Sequence, residues 1–356
     1  MAWWLRSVVP RRRGTHGPKF GSAARDRTMS EHESPITNAG PSPVGALKFA
    51  PAVAALGAGL LVAPAIARAA DLSVKPVLVV REAEPGIPLK APRGIAIDTL
   101  HHEIVVSNSD DHRVEFYSFD GGRRARYIHR VQGPGGAWVD GVPQALVVDR
   151  AGRVYVSDVM ARYVDVIDYR GRSVTRVALP DSSAGPEALA LEPDGGLLVA
   201  ERGPRGRVLR FDAAGRARGA WGVPGTEPGQ ISAVAGIGVL PSGDIVVAGR
   251  TTHFAVQVFS PAGEYRTGFG THEIGPGNFS LPSGLAVTAG GRIWVSDELR
   301  HTVQVFESTG AFIEELGGRG TAPGQFFYPS ALASDGGSLV AVTEREGNRF
   351  QILRVE

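Results

Sequence analysis

One segment is written six times along this chain, and that repetition limits the possible folds before any single residue does. PRGIAID at 92–98, followed by EIVVSNSDDHRVEFY at 103–117, is echoed by PQALVVD at 143–149 and RVYVSDVMARYVDVID at 153–168. The best later copy is PSGLAVT at 282–288 with RIWVSDELRHTVQVFE at 292–307. A small residue marks each unit: Gly94, Ala145, Ala188, Gly236, Gly284 and Ala331, spaced 43 to 51 residues apart. Periods of roughly 20–50 residues signal solenoids, propellers or arrays.

Within each unit the apolar residues fall in short runs bounded by Gly, Pro, Asp and Asn. IVVS, VYVS, LLVA, IVVA and IWVS are one such run in five copies. β-branched and aromatic runs of this length are strands. No long stretch after residue 71 has helical periodicity. The fifth unit shows four strands, GLAV, RIWVS, TVQVFE and AFIEEL, separated by TAGG, DELRH and STG. Connections this short join antiparallel neighbours. Four antiparallel strands repeated six times predict an all-β, six-bladed β-propeller. A solenoid of parallel strands would not need hairpin turns such as PDGG at 193–196 or PSGD at 241–244. The sixth unit ends at Glu356 one strand short, and PVLVV at 76–80 is a spare strand ahead of the first unit. The expected solution is a ring closed by that N-terminal strand, leaving only short edges.

These motifs resemble the NHL-repeat family. PGNFSLPSGLAV at 276–287 and PGQFFYPSALA at 323–333 match its opening, VYVSD at 154–158 and IWVSD at 293–297 its second strand, and HRVEF at 112–116 its third. The resemblance extends over most of the chain. It implies the propeller and says little about activity, since one architecture hosts many functions. Unit four departs most. AVAGIGV lacks the opening proline, and AGRTTHFAVQVF has no acid where other units carry one.

A propeller puts the start of each innermost strand and the end of each second strand on one face, near the axis. The starts are Arg93, Gln144, Glu187, Ala235, Ser283 and Ser330. The ends are Asn108, Asp158, Glu201, Arg250 (or Gly249), Asp297 and Glu344. Together they predict a polar double ring at the channel mouth, able to bind a cation or an amine or to orient water. An acid after the second strand also commonly accepts hydrogen bonds from the turn that follows. Arg93, Gln144, Glu187 and Arg250 differ between units, so folding alone does not require them.

Two enzyme groups use related propellers. The peptide-amidating lyases bind zinc through histidines placed just after the opening proline. The matching positions here are Arg93, Gln144, Glu187, Ser283 and Ser330, and none is histidine. Gluconolactonase-like hydrolases hold a divalent cation with a Glu, an Asn and an Asp. Glu187, Asn108 and Asp158 supply those types, in an order along the chain that does not match that family. The chain has no GxSxG elbow, HExxH pair or phosphate loop.

Residues 1–70 hold nine Lys or Arg against Asp26, Glu31 and Glu33, so the remainder is net acidic despite a whole-chain charge of +2. A mildly acidic propeller lacks the footprint of a nucleic-acid binder. Residues 1–45 read as a disordered lead-in, with Met29 an alternative start to Met1. ALKFAPAVAALGAGLLVAPAIA at 46–67, led by Lys48 and followed by ARA at 67–69, reads as a signal peptide within 46–69. The alternative is a membrane anchor formed by residues 46–66. The absence of cysteine permits export without oxidative folding.

The expectation is therefore an exported, periplasmic or secreted monomer whose propeller spans 71–356. It recognises an envelope protein, peptide or glycan through loops that carry Trp138, Glu227, His272 and Phe279. The alternative function is a hydrolase or lyase that uses a divalent cation, calcium or zinc, at the channel mouth.

Overall fold

The computed structural model describes residues 72–133, 136–180 and 183–356. The leader, lead-in and candidate cleavage site lie outside the described residues. Among the described residues there is no α-helix, and six four-stranded antiparallel sheets form the blades. Blade 1 is Pro92–Asp98, Glu103–Asn108, Arg113–Ser118 and Arg123–Ile128, from axis to rim. Blade 2 is Pro143–Val148, Val154–Asp158, Tyr163–Ile167 and Ser173–Ala178. Blade 3 is Pro186–Leu191, Leu197–Glu201, Val208–Phe211 and Ala217–Trp221. Blade 4 is Val234–Val239, Ile245–Gly249, Val256–Phe259 and Tyr265–Phe269. Blade 5 is Pro282–Val287, Ile293–Asp297, Thr302–Phe306 and Phe312–Gly317. Blade 6 is Pro329–Ser334, Leu339–Glu344 and Arg349–Val355, and its outermost strand is Val74–Val80. Val74 pairs with Val355 and Val80 with Phe350, which closes the ring as expected.

The second strands are apolar along their middles because both their faces are buried. Side chains alternate across a strand, and here each face meets a neighbouring blade. Ile104 and Val106 enter the seam between blades 6 and 1, while Val105 enters the seam between blades 1 and 2. Leu198 and Ala200 face blade 4, while Leu197 and Val199 face blade 2. The core is thus a set of inter-blade seams and not one central mass.

Near the axis the innermost strands approach each other closely. A Cβ on Gly94 would collide with the Gln144 carbonyl oxygen, and one on Gly284 would lie 2.6 Å from that of Ser330. That crowding explains the small marker residue of every unit. Hydroxyls tie the strands around the ring. Ser107 Oγ donates to Gln144 O at 2.7 Å, Ser283 Oγ to Pro329 O at 2.7 Å, and Ser330 Oγ to Pro92 O at 3.1 Å.

Candidate functional site at the channel mouth

The register of each blade is set where its innermost strand begins. Pro92 pairs with Asn108, Pro143 with Asp158, Pro186 with Glu201, Val234 with Gly249, Pro282 with Asp297 and Pro329 with Glu344. In every blade the ladder is interrupted just after this pair. A bulge re-aims the residue it displaces. That residue is Arg93, Gln144, Glu187, Ala235, Ser283 or Ser330, and all six line one cavity of about 110 Å³ on the axis. The other end of the channel opens among the first hairpin turns, lined by Asp149, Arg150, Pro193, Pro241 and Gly336.

The residues that end the second strands sit behind this cavity wall. Asn108, Asp158, Glu201, Asp297 and Glu344 are at most 1% exposed. Four of them accept a backbone N–H from the residue two before the opening proline. Lys90 donates to Asn108 Oδ1 at 2.7 Å, Ala184 to Glu201 Oε1 at 3.2 Å, Ser280 to Asp297 Oδ2 at 2.5 Å and Phe327 to Glu344 Oε2 at 2.7 Å. Asp158 accepts from Met160 N–H at 2.6 Å, and its other oxygen lies 3.1 Å from Nε2 of buried His129. These side chains strap each inter-blade loop to the blade it enters. Burial pushes the Glu201 carboxyl up, but Arg207, at 2.5 Å, and the hydrogen bonds from Ser183 and Ala184 together hold it below the usual carboxylate range. In Glu344 burial wins, and its carboxyl is raised despite Arg349. In blade 4 the acid is replaced by Gly249. A Cβ there would lie 2.5 Å from Thr252 Oγ1, whose hydroxyl donates to Phe254 O at 2.7 Å and braces this turn.

The second ring of the mouth is one residue further along. Arg250, Glu298 and Arg345 line the cavity with the bulged residues. Backbone N–H groups of Arg202, Arg250, Glu298 and Arg345 each donate to the carbonyl just before the start of the innermost strand. Arg250 was visible in the sequence because it broke the repeat. Arg202, Glu298 and Arg345 were not singled out.

The charges are arranged in pairs. Glu187 accepts from Arg202 Nε at 2.9 Å and lies 3.5 Å from an Arg250 terminal nitrogen. Arg202 also donates to the Val159 carbonyl. Glu298 pairs with Arg345 at 2.7 Å. Arg93 has no such partner among the described residues, and its Nε is buried without a hydrogen bond. The cavity thus presents three guanidinium groups to two carboxylates, both engaged.

A divalent cation does not fit this donor set. Glu187 faces the cavity already paired with arginine, while the oxygens of Asn108 and Asp158 point into the straps behind the wall. The arginines would repel a cation.

The loops between blades surround the mouth. They expose Trp138, Glu227, His272 and Ile274, the last 98% accessible. Val159, Met160 and Leu299, at the ends of second strands, are also exposed on this face. Phe279, grouped above with the recognition loops, is instead fully buried. It packs against Phe306, 5.8 Å between ring centroids, and is core.

Residues 279–306 match the family model of the NHL repeat, which falls on blade 5. No curated protein matches the sequence. Solved structures share the fold. A protein of unknown function from Bacteroides thetaiotaomicron is 18% identical, with a TM-score of 0.58 over 75% of this chain and 70% of its own. A putative gluconolactonase is 18% identical, with a TM-score of 0.58 over 81% and 93%. Virginiamycin B lyase from Staphylococcus aureus is 14% identical, with a TM-score of 0.56 over 80% and 99%. At these identities the likeness is one of fold.

Proposed function

We propose that this NHL-type propeller is an exported binding module that engages an envelope protein or peptide through the face around its channel mouth. The observation that carries this reading is the pairing of Val159, Met160, Leu299 and Ile274, all exposed, with a rigid charged mouth on the same face. Apolar side chains around a polar anchor make a recognition surface. A glycan would use the hydroxyl and amide groups of the mouth, but Ser283 and Ser330 are already engaged in ties between blades. Export follows from the Lys48-led apolar run and ARA at 67–69.

The hydrolase or lyase reading draws on the shared fold of the gluconolactonase-like and lyase neighbours. It requires a catalytic set that the paired glutamates do not supply. Photo-crosslinkers placed in the full chain at Met160 and Leu299 should give one discrete envelope adduct, and crosslinkers at Arg150 and Asp194 on the opposite face should not. Metal-dependent turnover of lactones, peptidyl-hydroxyglycines or phosphoesters that is lost in Glu187→Ala would overturn the binding reading. Sequencing of the protein's N-terminus should give a start at Ala70 or Asp71, and a product retaining 46–66 would mean an anchor.

A further inference from the structure

The mouth has a charge left over: its lining holds three arginines and two glutamates. Glu187 is shared by Arg202 and Arg250, and Glu298 is held by Arg345. Arg93 lines the same cavity with no counter-ion among the described residues and a buried, unpartnered Nε. Beside it, Gln144 lends its amide only to the carbonyls of Val142 and Pro143, at 3.4 and 3.2 Å. These are long bonds that a better acceptor would displace. Ser283 and Ser330 donate to blade-linking carbonyls, so among the residues that open the innermost strands Arg93 and Gln144 are the donors left for a ligand.

We infer that Arg93 and Gln144 form a carboxylate receptor at the channel mouth, which takes an acidic side chain or the terminal carboxylate of the peptide partner proposed above. A guanidinium fork matches a carboxylate with two parallel hydrogen bonds, and it is strongest where water is excluded. A volume of about 110 Å³ holds roughly three or four waters at about 30 Å³ each. That is room at the floor of the mouth for a carboxylate on one or two carbons. The exposed Val159, Met160 and Leu299 outside the mouth suit the body of a peptide whose acidic tip is inserted. The assignment rests on the binding reading, but it can fail separately.

The test uses full-length protein labelled with ¹⁵N-arginine, followed through its Nε–Hε signals at constant ionic strength. Sodium acetate should shift the Arg93 signal saturably, and sodium chloride should not. Arg93→Gln should weaken acetate binding by at least about tenfold, read from the Arg250 and Arg345 signals of the same cavity. Arg93→Lys should fall between, because it keeps the charge and loses the fork. An unchanged melting temperature in both variants separates a lost site from a lost fold. Acetyl-alanyl-glutamate amide and acetyl-dialanine with a free terminus decide which carboxylate source fits. Stronger binding of inorganic phosphate than of acetate would overturn the carboxylate assignment, as would an Arg93→Gln protein that binds acetate normally. If the crosslinks at Met160 and Leu299 form while acetate leaves Arg93 unmoved, the receptor is wrong and the binding face stands.

Discussion

Glu344 and Arg349 form a wholly buried ion pair, both 0% exposed and 2.6 Å apart. Arg349 also donates to the carbonyls of Thr321 and Gln325, and Glu344 also accepts from Gln351 and from Phe327 N–H. Arg349→Met would leave a buried carboxylate without its counter-ion and two loop carbonyls without their donor. Removing one partner of a buried pair costs about 3–5 kcal/mol. For a domain of this size each kcal/mol moves Tm by roughly 2–4 °C, so the variant should melt on the order of 10 °C lower. Pairing it with Glu344→Gln removes the stranded charge and should restore on the order of 2 kcal/mol, read as a double-mutant cycle in urea. The pH dependence fixes the cause. Burial already raises the Glu344 carboxyl, and loss of Arg349 raises it further. A group raised on folding gives its full stability below its unfolded value and loses it as pH rises through the folded one. The deficit of Arg349→Met should therefore shrink as pH falls from about 7 to about 5. A loss below about 1 kcal/mol at neutral pH, or an equal loss at both pH values, would refute the reasoning.

Glu115 is fully buried with an unpartnered oxygen, and burial raises its carboxyl, so ionising it costs more in the folded than in the unfolded chain. The equivalent positions of blades 4 to 6 hold Gln257, Gln304 and Gln351, so Glu115→Gln should add roughly 0.5–2 kcal/mol at neutral pH. That gain should vanish below the ordinary carboxylate range, and a loss of stability at neutral pH would count against it. Deleting 72–80 removes the partner of Arg349–Val355 and uncovers an edge, so the product should self-associate in sedimentation. A monomer with unchanged Tm would contradict closure by this strand.

The blades were legible because inter-blade seams demand apolar residues on both faces of the second strand, and that demand recurs with every unit. The ring-closing strand was legible by counting, since one unit lacked a strand and PVLVV was spare. The mouth was harder to read. Its inner ring could be placed from the opening prolines, because a bulge follows each of them. The outer ring was hidden by a single residue of register. The repeating acid attracts attention because it recurs, yet it recurs because most of the loops are strapped by a side chain at that position. The informative column is the next one, Val159, Arg202, Arg250, Glu298 and Arg345, which varies in charge from blade to blade. Pairing between distant arginines and glutamates cannot be read from local spacing, so the unmatched state of Arg93 emerges only in three dimensions.

The ladder that closes the ring has a mechanical consequence. Val74 and Val355 are paired at the same end of it, and Ser73 O accepts from Glu356 N–H just beyond. A force drawing those two points apart would load the bonds one after another, starting from Val74, and would never load them all at once in shear. The ring is therefore soft to peeling at this one site. Traction on the polypeptide at residue 72 would release blade 6 first, while the five blades without a swapped strand stayed folded.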